Sequence, residues 1–224
     1  MTILWVDFET RSHCDLPSAG VYNYAQDLTT EVICMAYTFN DEGVQTWQPG
    51  APFPEAVRQH KGQIRAHNAA FERLVFWYVL QVDFALEQFY CTAAQSRANC
   101  APGALGDLGR FAGAGMQKDY RGMQLIRKLS IPPYDPDPDG KLLAEMISYC
   151  MQDTRAMREV SVAQRQLTVT ELDDYHVGER INDRGVLLDK PLADAAVRYA
   201  EAERAEIEAL VIDITGGEIQ KPES

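Results

Sequence analysis

ILWVDFE, residues 3–9, is the segment of this sequence that decides the fold. Its β-branched and aromatic residues are typical of a β-strand. Side chains alternate across a strand, so Asp7 and Glu9 share one face while the even-numbered positions form an apolar opposite face. Because the strand is largely apolar on both sides, we predict that it lies centrally in a sheet. Two carboxylates at the end of such a strand are costly unless a cation is present.

Around this segment, the remaining sequence predicts a mixed sheet with helices on it. Strands come first and helices follow over residues 1–166, which favours an α/β fold with a sheet flanked by helices. From residue 167 the chain becomes Glu-rich and helical, so we predict a C-terminal helical extension over 167–224. The other predicted strands are 32–39, 44–47 and 63–66, and the predicted helices are 55–60, 70–80, 142–164, 171–182 and about 191–214, the last with Asp189 as its N-cap.

Composition excludes several classes of protein. The five cysteines form no C-x-x-C pair, which argues against a disulfide framework and a zinc ribbon. Acids at positions 7 and 9 argue against a signal peptide, and no apolar stretch approaches the length of a membrane span. We therefore expect a cytoplasmic protein without a membrane partner.

The net charge of −12 is unfavourable for a protein that contacts phosphate groups, but the charge is unevenly distributed. Residues 1–166 carry 15 basic and 19 acidic side chains, whereas residues 167–224 carry 6 and 14. Lys118, Arg121, Arg127 and Lys128 are clustered in the first part. The acidity is therefore compatible with DNA binding in a short cleft.

A second group of polar residues lies at a predicted strand-to-helix junction, AHNAAFE (66–72). Asn68 is placed near the helix N-cap and Glu72 in the first turn. Taken alone, this segment is equally well explained by a capping residue and an acid that is favoured by the helix dipole. His67 in isolation is likewise more often a packed, hydrogen-bonded histidine than a ligand.

A third pair, Tyr149 and Asp153, lies one turn apart on the predicted helix 142–164. The i, i+4 spacing places the phenol and the carboxylate on the same face. Tyr37 and Asp41 have the same spacing, but they lie at a strand end without a helix. The apolar periodicity of the long helix distinguishes the first pair from the second.

In this order, VDFET (6–10), AHNAAFE (66–72) and YCMQD (149–153) resemble the motifs of the DEDD 3′–5′ exonuclease superfamily, and the tyrosine resembles its DEDDy branch. That resemblance implies a DnaQ-like, RNase H-like fold. Further segments resemble bacteriophage-type family A DNA polymerases, in which the last of them leads from the exonuclease domain into the thumb. These segments are VDFETRS, GVYNYAQD, TEVICMAYTF, AHNAAFER, YCMQDT and ERINDRGVLLD (179–189).

The resemblance implies a site that holds two Mg²⁺ or Mn²⁺ ions and hydrolyses a phosphodiester. Tyr149, together with Glu9, is expected to orient the attacking water. One departure is Glu72, where the family usually has Asp. The implied metal ligands are Asp7, Glu9, Glu72 and Asp153, and the implied substrate-binding residues are Phe8, Thr10, His67, Asn68, Phe71, Lys118 and Arg121.

Two other functions stay open from the sequence. An RNase D-like enzyme of the same fold would trim RNA 3′ ends, and an inactive exonuclease-like module would position a polymerase without cutting. The expected partners are a single-stranded or frayed DNA 3′ end and a polymerase domain in cis or in trans, in the cytoplasm of a bacterial host if the chain is of phage origin. The last helix carries an apolar stripe from Leu192 to Ile214. We expect this stripe to be exposed, to be frayed or to pair with a second copy of the chain; the alternative is that it folds back on residues 1–166.

Overall fold

The computed structural model describes residues 2–111 and 120–220. Its five strands are β1 (Ile3–Arg11), β2 (Glu31–Phe39), β3 (Gln45–Trp47), β4 (Gln63–Ala66) and β5 (Phe89–Cys91). They form one sheet in the order β3-β2-β1-β4-β5. β1 pairs antiparallel with β2 and parallel with β4, so the sheet is mixed and β1 is central, as predicted. This architecture confirms the α/β RNase H-like fold expected from the sequence.

Helices flank the sheet and follow it in the chain. Their bounds are α1 (Leu16–Gln26), α2 (Glu55–Arg58), α3 (Ala70–Leu74), α4 (Thr92–Ala98), α5 (Leu105–Phe111), α6 (Tyr120–Leu129), α7 (Lys141–Ala163), α8 (Val169–Arg184) and α9 (Lys190–Ile214). The predicted helix 70–80 is in fact α3 followed by a π-helical turn over Val75–Val79. A bond from Leu80 N to Val75 O, 3.0 Å long, closes this wider turn.

The face of β1 that carries the even-numbered side chains belongs to one core cluster, and a second cluster lies between β2 and the helices α6 and α7. Leu4, Val6 and Phe8 pack with the π-helical turn, where the Phe8 and Phe76 ring centroids are 4.9 Å apart. On the other face of the sheet, α7 packs on β1 and β2, and α6 packs beside α7; the buried Cys150 belongs to this second cluster. The face that carries Asp7 and Glu9 is therefore the face beneath α7.

The chain divides into two compact units, Met1–Arg180 and Ile181–Ser224, whereas the sequence placed a boundary between 166 and 167. The difference lies in α8, whose first turns are anchored in the first unit. His176 Nε2 hydrogen-bonds to Phe89 O at 2.8 Å. Arg73 Nη2 and Glu179 Oε2 form a buried ion pair at 3.1 Å. Helix α8 is acidic, yet it buries one of its faces, and its amino-acid composition does not indicate this burial.

The second unit contains the end of α8 and helix α9. Asp189 accepts a hydrogen bond from Leu192 N at 3.0 Å and caps α9 as predicted. Apolar side chains of the predicted stripe, among them Leu192, Tyr199 and Ile214, are exposed. None of the helices in the described ranges has the length and apolar character that a bilayer crossing requires.

Candidate active site

Strand β1 presents Asp7 and Glu9 at a point where its pairing with β2 changes register. Asp7 pairs with Ala36 and Glu9 with Cys34, but Thr10 pairs with Val32. This irregularity is a β-bulge, which bends a strand and turns the neighbouring side chains. One oxygen each of Asp7 and Glu9 lies within 4.8 Å of the other and of the Cys150 sulfur. The two carboxylates can therefore share a cation.

Helix α7 brings Tyr149 and Asp153 to the same cluster. The Tyr149 phenol is hydrogen-bonded to the Asp153 carboxylate. Burial, then Asp153, raises the pKa of Tyr149 above its ordinary value, so the phenol keeps its proton and acts as a hydrogen-bond donor. A Cβ atom at Gly122 of α6 would collide with Tyr149 Cε2, so the close approach of α6 to this ring requires glycine.

Helix α3 contributes Glu72 in its first turn, as predicted. The residue is only 3% exposed, and its Oε2 has no hydrogen-bond partner among the described residues. Burial, followed by repulsion from Asp7, raises the pKa of Glu72 well above its usual value. A buried oxygen without a partner is costly, and a cation or an ordered water on it would remove the cost.

Asn68 lies next to the N-cap of α3, near the position that was predicted, but it does not itself cap the helix. Ala69 occupies the N-cap, and Asn68 precedes it in the left-handed region with a φ of 65°. The backbone oxygen of Asn68 accepts a hydrogen bond from Phe71 N at 2.8 Å, so the residue forms the turn that leads into α3. Asparagine tolerates this backbone conformation better than most residues, and it is also a common N-cap residue. The residue type alone therefore does not tell whether Asn68 caps the helix or forms the turn before it.

The carboxylates of the cluster destabilise one another's charged forms. Burial and then Asp153 raise the pKa of Asp7 to about 8. Burial and then Asp7 raise the pKa of Glu9 well above its usual value, with Glu72 among the weaker causes. A set of hard oxygen donors that repel one another fits Mg²⁺ or Mn²⁺.

The stability of the metal-free protein is therefore expected to depend on pH. The pKa of Asp7 is 3.8 in the unfolded chain and about 8 in the folded one, so the folded state binds more protons between these values. The contribution of Asp7 to the free energy of unfolding should be fully present below about pH 4 and should be lost as the pH rises to about 8. Thermal unfolding in chelator, compared with Asp7→Asn, measures the effect. A fall of equal size in both proteins would contradict it.

A cavity of about 390 Å³ opens beside Glu9, and some of the predicted substrate-binding residues line it. Thr10 and Phe71 line it, and Thr10 Oγ1 is 2.7 Å from the hydroxyl of Tyr24. Phe8 also lines the cavity, but it is only 5% exposed and its ring packs against Phe76. The cavity is large enough for part of a nucleotide, while stacking of a base on Phe8 stays a prediction.

The other predicted substrate residues do not converge on this cavity. Both ring nitrogens of His67 lie within hydrogen-bonding distance of the protein, Nδ1 3.0 Å from Thr92 Oγ1 and Nε2 2.9 Å from Gly103 O, and a role of His67 in substrate binding stays a prediction. Asn68 is exposed, and Arg121 is ion-paired with Glu145. Lys118 lies outside the described residues.

Sequence reasoning missed Cys150. Its sulfur lies 3.3 Å from Asp7 Oδ2. The helical spacing contained a signal, because Cys150 is three residues before Asp153 and so lies near it on α7.

Comparison with known proteins relates the chain to DNA polymerases. No family model matches it. Over 235 aligned positions, which cover 96% of this chain, it is 28% identical to a protein named DNA polymerase from Bacillus phage SP02. The chain spans 36% of the length of that protein. The similarity supports a polymerase-related domain.

Proposed function

We propose that this chain is a metal-dependent 3′–5′ exonuclease that removes nucleoside monophosphates from DNA 3′ ends. The observation that carries the proposal is the convergence of five groups from three distant segments. Asp7 and Glu9 come from β1, Glu72 comes from α3, and α7 supplies both the Tyr149 phenol and the Asp153 carboxylate. The sequence predicts these groups as one set. They lie far apart in the chain, so the local geometry of a single strand or helix does not explain why they are close together.

Asp7, Glu9, Glu72 and Asp153 would hold the divalent cations. Their mutual repulsion supports cation binding, and so does Glu72 Oε2, which has no hydrogen-bond partner within residues 2–111 and 120–220. When bound, Mg²⁺ or Mn²⁺ stabilises charge on a phosphoryl group and assists formation of the nucleophile. Asp7 is coupled electrostatically to Asp153 and to Glu72, so it would interact with a cation held by either of them.

The remaining groups would orient the reactants. The phenol of Tyr149 stays protonated and donates its one hydrogen to Asp153, so its oxygen could accept a hydrogen bond from a water molecule that Glu9 also orients. The cavity lined by Thr10, Tyr24 and Phe71 is adjacent to Glu9 and would receive the terminal nucleotide. Aromatic walls suit stacking, which is tolerant of base identity and appropriate for a nuclease without sequence preference.

A role in proofreading is supported by the similarity to a phage DNA polymerase. In that reading, the chain corresponds to an exonuclease domain, and the segment 179–189 leads towards a thumb domain. The polymerase that it serves would act in cis or in trans.

The direct test uses single-stranded DNA labelled at its 5′ end, with Mg²⁺ or Mn²⁺. We expect progressive shortening from the 3′ end and release of mononucleotides, because a carboxylate cluster can support metal-assisted hydrolysis. Excess EDTA should abolish the activity. Activity that survives EDTA would contradict the metal mechanism.

The same assay separates the two other candidate functions. An RNA oligonucleotide of matched sequence that is degraded faster than the DNA would favour the RNase D-like alternative. A protein that is folded, binds Mn²⁺ and degrades neither substrate would favour the inactive positioning module, for which Glu72 in place of Asp is the supporting observation.

A further inference from the structure

Helix α7 brings a thiol into the carboxylate cluster, directly after Tyr149. Cys150 is fully buried, and its Sγ lies 3.3 Å from Asp7 Oδ2 and 3.5 Å from Asp7 O. One ligand atom from each of Asp7, Glu9 and Cys150 lies within 4.8 Å of the other two. Two carboxylates and one sulfur atom, from two elements of the fold, thus surround one point.

A second observation, at Glu72, favours a cation near Asp7. Its carboxyl group is 3% exposed, it is coupled electrostatically to Asp7, and its Oε2 has no hydrogen-bond partner among the described residues. A buried carboxylate oxygen without a partner is expensive, and a nearby cation would compensate it. This observation does not depend on the position of the thiol.

The separation of the sulfur and oxygen atoms suits a shared metal ion. Ligands of Zn²⁺ at about 2.0 to 2.3 Å lie roughly 3 to 3.7 Å from one another. The 3.3 Å between Cys150 Sγ and Asp7 Oδ2 falls in that range. A thiolate ligand favours Zn²⁺ and other thiophilic ions, whereas Mg²⁺ prefers oxygen ligands.

We propose that Cys150 is a thiolate ligand of this cluster, which with Asp7 and Glu9 binds thiophilic divalent cations more tightly than Mg²⁺. The inference rests on the proposed function in one respect: Asp7 and Glu9 belong both to the proposed nuclease site and to this metal site. When the sulfur–metal bond forms, the thiol proton passes to solvent, and its hydrogen bond to Asp7 is lost. In cells, such binding would make nuclease activity sensitive to zinc.

The test is a titration of the complete, metal-free chain with Cd²⁺, followed by ultraviolet absorption. We expect a thiolate-to-cadmium charge-transfer band that saturates at one equivalent and that Mg²⁺ removes only in large excess. The variant Cys150→Ser should lose the band, and its affinity for Cd²⁺ should fall by about ten- to a hundredfold or more. Asp7→Asn should also weaken binding.

Other cysteines of the chain provide matched controls. Cys100 is exposed and Cys14 is half-buried, so Cys100→Ser and Cys14→Ser should keep the band. A wild-type protein without a band, or a band that persists in Cys150→Ser, would overturn the proposal. If Cys150→Ser does not fold, cadmium NMR of the wild-type protein decides, because thiolate-bound cadmium resonates far from cadmium bound by oxygen alone.

A Mg²⁺-supported nuclease assay on the same preparation separates this inference from the proposed function. A cadmium band without nuclease activity would support the thiolate site and contradict the exonuclease. Nuclease activity without a band would overturn the thiolate site alone.

Discussion

Replacement of Asp7 with alanine is expected to reduce nuclease turnover by several orders of magnitude while the protein stays folded. Asp7 shares the cluster with Glu9 and is coupled to Asp153 and to Glu72, so its removal disrupts cation binding. In chelator, the variant should be at least as stable as the wild type, because it relieves the repulsion that raises the pKa of Asp7. End-labelled DNA and thermal unfolding measure the two effects.

Two comparisons sharpen this experiment. Asp41 follows Tyr37 at the same spacing as Asp153 follows Tyr149, but it is exposed and outside the cluster, so Asp41→Ala should retain full activity. Tyr149→Phe should cost less than Asp7→Ala, since in the proposed mechanism the phenol would orient water and would hold no cation. If Asp7→Ala unfolds the protein, Asp7 is structural and the proposed site is wrong.

Of the substitutions proposed for this protein, Glu179→Ala is expected to lower the free energy of unfolding most, by about 3 to 5 kcal/mol. The side chains of Arg73 and Glu179 are 6% and 9% exposed, and their ion pair spans 3.1 Å between α3 and α8. Without Glu179, the buried guanidinium loses this ion pair, which removes part of the compensation for burying its charge. Denaturant unfolding of the variant and the wild type gives the difference directly.

The neighbouring residue offers a matched control. Arg180 pairs with Glu87 at 2.9 Å, but their side chains are 52% and 64% exposed. Water screens such a pair, so Arg180→Ala should cost less than about 1 kcal/mol. If Glu179→Ala and Arg180→Ala lower the free energy of unfolding by equal amounts, the buried ion pair does not anchor α8. The assignment of its first turns to the first unit would then lose its main support.

Much of the site could be predicted from the sequence because its signals are local. Alternation along β1 places Asp7 and Glu9 on one face, and helical spacing places Tyr149 above Asp153. These periodicities follow from backbone geometry and need no knowledge of the neighbours. The buried Arg73–Glu179 pair carries no such signal, because its members are far apart in the sequence.

The sequence by itself determined the central strand, the chemical types of the site residues and the order in which they occur. Tertiary structure alone decided that Cys150 touches Asp7, that both ring nitrogens of His67 are already engaged, and that α8 is anchored in the first unit. The physical reason is that side-chain periodicity is set by the backbone of one element. Burial and contact between distant elements instead depend on how the whole chain packs, which no short segment encodes.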